Sequence, residues 1–342
     1  MSKKSGYKVA MVGATGAVGE ALLAILAERE FPVSELVALA SDRSAGSLVS
    51  FGDTEVAVRS LEKYDFAGVD IAFFSAGGSV SKVHAPRAAA AGAVVIDNTS
   101  EFRYQDDIPL VVAEVNPHAI AQYTNRGIIA NPNCSTMQML VALAPIHRAV
   151  GIERINVATY QSVSGAGRSG VDELGSQTAA LLNFQEVEPA KFQAQIAFNL
   201  IPQIDDFQDN GYTKEEMKLV WETRKILEDD AIQVNPTAVR VPVFYGHSEA
   251  VHIETREKIS AEAARALLEK ALGVVVVDER VPGGYPTPVS HAAGKDGVFV
   301  GRIREDISHP RGLDLWVVSD NIRKGAALNA VQIAELLVKS GL

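Results

Sequence analysis

The chain's only cysteine, Cys134, lies in residues 131–136 (NPNCST), ahead of an apolar stretch with helical spacing. Pro132 favours a turn, which predicts that Cys134 stands at or just before a helix start, with Ser135 and Thr136 near the cap. The positive end of a helix increases the thiolate fraction of a cysteine, and its N–H groups can stabilise an oxyanion. A lone cysteine is more often an inert core residue. The polar, proline-containing loop favours a reactive thiol instead.

Three further polar residues could assist this thiol. Gln161 ends a predicted strand and could orient an acyl carbonyl. The loop 162–167 that follows it could close over a cofactor. The alternative is that this loop is a flexible surface loop. Arg240 alternates with valines along a strand and therefore points to the opposite face, where it could also be a simple exposed charge. His247 lies in a turn between two strands, a common position for catalytic groups. Spacing alone does not select it from the seven histidines.

A glycine cluster near the N-terminus has the form G-x-x-G-x-x-G rather than the usual G-x-G-x-x-G. Gly13, Gly16 and Gly19 follow a predicted strand at 7–12 and open a predicted helix at 20–29. Backbone N–H groups at such a junction can hold a pyrophosphate, which predicts a dinucleotide site. A tight strand-to-helix turn without a ligand is the alternative.

The end of the second predicted strand bears on which dinucleotide is bound. NAD binders usually place an acidic residue there for the ribose hydroxyls. Here Arg43 is flanked by Ser41 and Ser44, a set that suits a 2′-phosphate, whereas Asp42 does not suit it. The segment favours NADP, and a solvated turn is the alternative.

Length, hydrophobic content and net charge restrict the class of protein. The 342 residues are enough for two domains, and 47% are hydrophobic. A formal net charge of −10 disfavours a general nucleic-acid binder. Lys3 and Lys4 precede an apolar stretch at 9–27 that could suggest a signal peptide, but glycines and Glu20 interrupt it. We interpret the stretch as the start of the fold and expect a cytoplasmic protein that does not bind membranes or a metal.

Short apolar strands alternate with helices in the first part of the chain, which predicts a parallel sheet wrapped by helices. The predicted strands are 7–12, 36–40, 70–74, 93–97 and 110–114. After about residue 134 the strands are longer and more alternating, which predicts a mainly antiparallel sheet. These strands are 154–161, 238–244, 250–255, 297–305 and 312–319, with helices at 135–150, 169–182, 214–227 and 261–271. A last amphipathic helix, 324–340, is expected to pack back on the first domain.

The NPNCST motif together with GATGAVG at 13–19 resembles the aspartate-β-semialdehyde dehydrogenase family. The likeness runs along nearly the whole chain, and several independent motifs occur in the family's order. The further motifs are AEVNP at 113–117, YQSVSGAG at 160–167, FNLIPQI at 198–204, EMKLVWETRKI at 216–226 and RVPVFYGHSEAVHIET at 240–255.

The resemblance implies a homodimeric, NADP-dependent enzyme that converts L-aspartyl 4-phosphate to L-aspartate 4-semialdehyde through a cysteine thioester. Such an enzyme serves lysine, diaminopimelate, threonine and methionine biosynthesis. The implied fold is α/β: a Rossmann-like NADP-binding domain with a parallel sheet, and an α+β catalytic and dimerisation domain. We expect the first domain to comprise residues 1–133 and 322–342, and the second residues 134–321.

The resemblance also implies a role for each matching residue. Cys134 is the nucleophile, His247 the acid/base and Gln161 the residue that positions the substrate. The implied substrate contacts are Arg240 for the carboxylate, Arg103 and Lys218 for the phosphate, Glu215 for the amine, and Asn133. The implied cofactor contacts are Gly13, Thr15, Gly16, Ala17, Val18, Ser41, Arg43, Ser44, Ser164 and Gly165, with Asn321 at the nicotinamide carboxamide.

Two alternatives stay open at the level of sequence. A related acyl-phosphate reductase, such as N-acetyl-γ-glutamyl-phosphate reductase, uses the same two-domain plan, although segments 160–167 and 240–249 disfavour it. A non-catalytic paralogue kept as a binding or structural protein would be expected to lose the thiol. The presence of Cys134, Gln161, Arg240 and His247 argues against that alternative.

Overall fold

The computed structural model describes residues 6–341, so Lys3 and Lys4 lie outside the described residues. The helices are α1 (Ala17–Glu28), α2 (Gly78–Ala90), α3 (Cys134–Val150), α4 (Arg168–Leu182), α5 (Lys214–Leu227), α6 (Ala261–Leu268) and α7 (Leu328–Ser340). The strands are β1 (Tyr7–Val12), β2 (Val33–Ala40), β3 (Leu48–Phe51), β4 (Thr54–Ser60), β5 (Ile71–Phe74), β6 (Val94–Asp97), β7 (Ile128–Ala130), β8 (Ile152–Gln161), β9 (Gln233–Arg240), β10 (His247–Thr255), β11 (Val274–Val276), β12 (Val298–Glu305) and β13 (Gly312–Ser319). Within residues 6–341, none of these helices is long and apolar enough to cross a membrane.

The first compact unit comprises Met1–Pro132 and Ala326–Leu342. Its sheet has the order β3-β4-β2-β1-β5-β6-β7, and every neighbouring pair is parallel except β3 with β4. All four residues of β5 are buried, because helices cover both faces of a parallel sheet. The chain returns to this unit at its end, where α7 packs against α1.

Several strand-to-helix loops of this sheet begin at the carboxyl ends of its central strands. The glycine turn follows β1, residues 75–77 follow β5, and Asn98 follows β6. Ligands of open parallel sheets bind at this edge, because the strand-to-helix loops and helix N-termini meet there.

The second compact unit is Asn133–Gly325. Its sheet has the order β11-β12-β13-β10-β8-β9. The three central pairings are antiparallel and the two outer pairings are parallel. The apolar side chains of α3 are buried where the helix packs against β10 and β13. The predicted α/β class, with one parallel and one mainly antiparallel sheet, is confirmed.

Several predicted elements differ from the structure. The strand predicted at 110–114 is wrong: Leu110 makes an isolated bridge to Ala130, and residues 113–115 form a turn. Side chains take up the backbone groups there, because Asn116 accepts from the Val112 N–H and Asn329 accepts from the Ala113 N–H.

Other differences concern the ends of elements and short strands. The strand predicted to reach residue 244 ends at Arg240, since Pro242 cannot donate to a ladder. The helix predicted at 261–271 ends at Leu268. The predicted last helix begins with a π-turn at Arg323–Ala327 before α7. The hairpin of β3 and β4 and the short strands β7 and β11 were not predicted.

A carboxyl group lies buried in the second unit. Glu249, in the middle of β10, is fully buried, and the side chain of Gln138 on α3 lies beside it. Among residues 6–341, no group forms a well-aligned hydrogen bond with either Glu249 oxygen. Burial raises the pKa of Glu249 well above its usual range and therefore favours the protonated acid in the folded protein.

This buried acid predicts a pH dependence of stability. The unfolded chain releases the Glu249 proton near the usual carboxyl pKa, but the folded protein retains it to a higher pH. The free energy of unfolding therefore falls as pH rises from that value toward the folded pKa, by up to about 1.4 kcal/mol per pH unit. Glu249→Gln mimics the protonated acid and should lose less stability over this range.

Urea unfolding from pH 5 to 8 would measure this difference, with the exposed Glu257→Gln as the matched control. We expect the control to follow the wild type. If wild type and Glu249→Gln have the same pH dependence, Glu249 is ionised in the folded protein and the prediction is wrong.

Candidate active site

Cys134 is the first residue of α3, and Asn133 is its N-cap. The Asn133 Oδ1 atom accepts hydrogen bonds from the N–H groups of Ser135 at 3.0 Å and Thr136 at 3.2 Å. The side chain of Cys134 is only partly buried. A Cβ at Gly325 would lie 2.8 Å from the Cys134 Cβ, so a residue without a side chain is needed beside the thiol. The nucleophile predicted from sequence therefore stands on the first turn of a capped helix.

Two glutamates of α5 hold the cap residue in place. The Asn133 Nδ2 donates to Glu215 Oε1 at 2.9 Å, and the Asn133 backbone N–H donates to Glu222 Oε2 at 2.6 Å. Both glutamates are buried, and their spacing of seven residues puts them on one face of α5. Sequence reasoning missed Glu222. Its position two turns after Glu215, inside an otherwise buried helix face, was the available signal.

Glu215 is an ionised group inside the protein. Burial alone would raise its pKa, but the charge of Lys218 and hydrogen bonds from Lys218, Asn133 and Gln161 outweigh burial and lower the pKa to about 2. Gln161 Nε2 donates to Glu215 Oε1 at 3.1 Å. Glu215 therefore brings together residues predicted separately on α3, β8 and α5.

Lys218 lies one turn after Glu215 and contacts two carboxylates. Its Nζ donates to Glu215 Oε2 at 2.8 Å and to Asp205 Oδ2 at 2.9 Å. Burial alone would lower the pKa of Lys218, but these carboxylates outweigh it and raise the pKa. Lys218 is thus a fixed cation, and Asp205 is a second partner that sequence reasoning missed.

Arg240 and His247 converge on one glycine. Arg240, at the end of β9, is only 6% exposed, so the alternative of an exposed charge is wrong. Its Nη1 donates to the Ser162 carbonyl at 2.8 Å, and its charge interacts with Glu215 and Cys134. A Cβ at Gly165 would lie 2.9 Å from Arg240 Nη1 and 3.3 Å from His247 Nε2.

His247 is buried in a defined tautomer. The Ser162 backbone N–H donates to His247 Nδ1 at 3.1 Å, and a backbone N–H can only donate, so the ring proton belongs on Nε2. Burial, and then the charge of Arg240, lower the pKa of His247 to about 3 against the opposing effect of Glu215. Within the described part of the chain, Nε2 has no hydrogen-bond partner. His247 is therefore a neutral ring with a donor available to a ligand.

Asn321 ties together the loops around this histidine. Its Oδ1 accepts from Ser162 Oγ at 3.0 Å and from the Gly246 N–H at 3.0 Å, while its Nδ2 donates to Ser164 Oγ at 3.0 Å. The predicted cofactor contacts Asn321 and Ser164 thus belong to the network that holds His247. Ser162, which contacts His247 through both its N–H and its Oγ, was missed by sequence reasoning.

The first unit contains the glycine turn. Gly13 has a φ of +89°, and a Cβ there would lie 2.5 Å from the Ser75 carbonyl oxygen. A Cβ at Gly19 would lie 2.2 Å from the Gly13 carbonyl oxygen. Helix α1 begins at Ala17, and its N-cap is the exposed Gly16, which has no side chain to cap the first turn. The N–H groups of this turn thus fit a phosphate ligand. The other predicted contacts at this turn are Thr15 and Val18.

The turn after β2 carries the residues that bear on cofactor choice. Arg43 and Ser41 are exposed, and Ser44 is partly buried. The Asp42 carboxylate accepts a hydrogen bond from the Ser60 hydroxyl on β4. Asp42 is therefore engaged within its own unit, and Arg43 presents its charge to solvent.

Arg103, the other predicted phosphate contact, lies in the first unit. It is buried, and its Nη2 donates to the Asn98 carbonyl at 3.0 Å just beyond β6. Lys218 lies in the second unit, so the predicted phosphate pair is divided between the two units. Within residues 6–341, no cluster of three or more His, Cys, Asp or Glu side chains could hold a metal ion.

The cap at Asn133 yields a testable prediction. Asn133→Ala removes the acceptor for two N–H groups of α3 and a donor to Glu215. It should destabilise the protein by about 1–2 kcal/mol and slow alkylation of Cys134 by iodoacetamide. Thermal unfolding and thiol-modification rates would measure the two effects.

Ser260→Ala is the matched control, because Ser260 caps α6 through the Ala263 N–H. It should cost about 1 kcal/mol and leave the alkylation rate unchanged. Equal alkylation rates in wild type and Asn133→Ala would contradict a role of the cap in setting up the thiol.

Comparison with known proteins gives two family matches. Residues 8–123 match the family described as "Semialdehyde dehydrogenase, NAD binding domain". Residues 143–324 match "Semialdehyde dehydrogenase, dimerisation domain". Aspartate-semialdehyde dehydrogenase of Legionella pneumophila is 63% identical over 334 residues, which are 98% of this chain and 96% of that protein.

Solved structures agree with the sequence matches. Aspartate semialdehyde dehydrogenase II of Vibrio cholerae, complexed with ASA, superimposes with a TM-score of 0.97 at 62% identity, covering 99% of this chain and 100% of that one. The enzyme of Candida albicans, with NADP, superimposes with a TM-score of 0.76 at 26% identity, covering 99% of this chain and 100% of that one.

Proposed function

This chain belongs to the aspartate-semialdehyde dehydrogenase family, and we propose that it converts L-aspartyl 4-phosphate to L-aspartate 4-semialdehyde with NADP through a thioester on Cys134. One observation carries the proposal. Cys134 stands on the first turn of α3, and its cap residue shares the buried Glu215 with Gln161 and Lys218, while the charge of Arg240 interacts with both Glu215 and Cys134.

The proposed substrate carries an amine, a carboxylate and a phosphate. Ionised Glu215 suits the amine, because its low pKa keeps it charged at neutral pH. Arg240 suits the α-carboxylate, since a guanidinium binds a carboxylate through two parallel hydrogen bonds. Arg103 and Lys218 suit the phosphate. Holding the substrate at separate points places its acyl carbon over the thiol, which raises the effective concentration of the reacting groups.

The proposed reaction begins when the Cys134 thiolate attacks the acyl carbon. A C–S bond forms, the C–O bond to phosphate breaks, and phosphate leaves. A thioester accepts a hydride more readily than a carboxylate does, so covalent capture divides the reaction into easier steps. When bound, the dinucleotide supplies the hydride. The positive end of α3 is suited to stabilise negative charge on the thiolate and on the oxyanion, and we propose that Gln161 positions the substrate.

His247 acts next in the proposed reaction. Its Nε2–H can donate a hydrogen bond to the oxyanion left after reduction. The oxyanion then collapses to the aldehyde and expels the Cys134 thiolate, which requires no net proton. We also propose His247 as the acid/base of the reaction, because negative charge on bound substrate favours the protonated ring.

The chain contains an NAD(P)-binding domain, and we propose that its cofactor is NADP. The exposed Arg43 suits a 2′-phosphate, and the hydrogen bond from Ser60 engages Asp42 elsewhere. Ser164, Gly165 and Asn321 are the proposed contacts on the nicotinamide side. The other proposed contacts are Gly13, Thr15, Gly16, Ala17, Val18, Ser41 and Ser44.

The match to a dimerisation domain supports a homodimer. We propose that this homodimer acts in the cytoplasm, in the biosynthesis of lysine, diaminopimelate, threonine and methionine. The proposed ligands are small anionic molecules rather than nucleic acids or membranes, consistent with the acidic chain and its local cationic groups. We also propose that the two compact units serve as the cofactor-binding and the catalytic and dimerisation domains.

The first functional prediction concerns the reaction itself. Purified protein should reduce NADP⁺ when given aspartate semialdehyde and phosphate, as followed at 340 nm. Cys134→Ala should abolish turnover because no thioester can form, while NADPH binding, measured by fluorescence, should stay near the wild-type value. Turnover with a glutamyl analogue alone would refute the substrate, and an active Cys134→Ala would refute the thioester.

The contact between Arg43 and the 2′-phosphate of NADP can be tested by mutation. Arg43→Ala should raise the KM for NADP⁺ by at least about tenfold, because a charge-assisted hydrogen bond is lost, and should leave the KM for NAD⁺ nearly unchanged. Arg59→Ala removes an exposed charge from β4 of the same unit and serves as the control. Equal losses for both dinucleotides in Arg43→Ala would rule out this contact.

A further inference from the structure

Lys218 is held between two carboxylates that differ in their surroundings. The Glu215 side chain is 7% exposed and also accepts hydrogen bonds from Asn133 and Gln161. The Asp205 side chain is 33% exposed and meets Lys218 from the solvent side, with Oδ2 2.9 Å from Nζ. Glu215 is therefore a fixed partner of Lys218, and Asp205 is the replaceable one.

Asp205 stands on an irregular segment that is anchored on either side. Ile201 forms a bridge with Arg240, and Phe207 forms a bridge with Thr213. Between these bridges, Asp205 has a φ of +68°, in the left-handed region that aspartate and asparagine tolerate better than other side chains. The segment therefore carries the carboxylate to Lys218 in a locally defined conformation without helix or strand pairing at Asp205 itself.

We propose that Asp205 occupies the phosphate position on Lys218 in the unliganded enzyme and is displaced when the phosphoryl group binds. This inference rests on the proposed function, which assigns Lys218 to the phosphate. An ammonium group has three donors, and Glu215 keeps one of them. A phosphate dianion beside the Asp205 carboxylate would be repelled by it at contact distance. Phosphate binding to the face of the ammonium group that Asp205 occupies therefore favours departure of Asp205.

The displacement of Asp205 from Lys218 favours ligands with a higher negative charge. A ligand gains the contact with Lys218 only if it competes with a tethered carboxylate. A phosphoryl group, with nearly two negative charges and three acceptor oxygens, competes well. A carboxylate ligand offers only what Asp205 already provides. Asp205 is therefore a specificity-determining residue that favours the phosphorylated acid, or inorganic phosphate in the reverse reaction, over an unphosphorylated acid.

Asp205→Asn tests this inference because asparagine keeps the shape and tolerates the left-handed backbone. Its Oδ1 can also keep accepting from the Asp206 N–H, as Asp205 Oδ1 does at 3.1 Å. In the NADP⁺-reducing direction, the KM for phosphate should fall by roughly fivefold, the amount expected when a partly exposed ion pair no longer competes. The KM for aspartate semialdehyde should stay near the wild-type value. Calorimetric titration with inorganic phosphate gives the affinity without turnover.

Asp206→Asn is the matched control, because it removes the same charge from the adjacent exposed residue. It should leave the phosphate KM unchanged. Asp205→Gly is the second variant, since glycine adopts a positive φ without strain, and it should lower the phosphate KM in the same direction.

Two results would overturn this inference. If Asp205 only orients Lys218 for phosphate, both variants at this position will raise the phosphate KM, and the inference is overturned. An unchanged phosphate KM and affinity also overturns it. A wild-type enzyme without phosphate-dependent turnover of aspartate semialdehyde would instead refute the proposed function, which separates that failure from the failure of this inference.

Discussion

The arrangement of the candidate active site in the second unit depends on one buried carboxylate, Glu215. Glu215 is ionised although it is shielded from water, and an ionised carboxylate in such a place is stable only if hydrogen-bond donors and a cation surround it. Those partners come from three different elements: Asn133 at the start of α3, Gln161 at the end of β8, and Lys218 on α5 itself. Satisfying the charge therefore brings these elements to one point.

The position of Cys134 follows from the same constraint. Its neighbour Asn133 uses every polar group of its side chain, with Oδ1 capping α3 and Nδ2 bound to Glu215. The Glu222 carboxylate takes the Asn133 backbone N–H as well. The helix start can then neither fray nor rotate without leaving a buried polar group unpaired, which is costly. The thiol is held by its neighbours, while its own side chain stays partly open to solvent.

The histidine is held by a different set of contacts. Ser162 engages Nδ1, Asn321 ties Ser162 to Gly246, and Gly165 leaves the space that Arg240 and Nε2 face. The result is a neutral ring whose donor faces the same small space as a buried cation. In the first unit, glycines shape the ligand-binding turn. Gly13 and Gly19 allow backbone atoms to approach where any side chain would clash. Each unit thus prepares its ligand contacts by its own local means.

Local signals in the sequence determined which elements form and where many of them begin. The predicted helix at 214–227 matches α5, whose start is set by the capping box of Thr213 and Glu216, and the predicted strand at 312–319 matches β13. Capping, alternation and glycine turns act over a few residues, so they are visible in a linear chain. The motifs also pointed to Cys134 and the residues around it, although the choice of His247 among seven histidines came from the family resemblance.

Tertiary structure alone decided which groups meet. Glu222 lies 89 residues from Asn133, and the strand predicted at 110–114 gave way to a turn held by Asn329, 216 residues from Ala113. Ser162 and Asp205 likewise gained their partners only in the folded chain. A hydrogen bond between distant residues leaves no periodic trace in sequence, because its geometry exists only after the chain has folded.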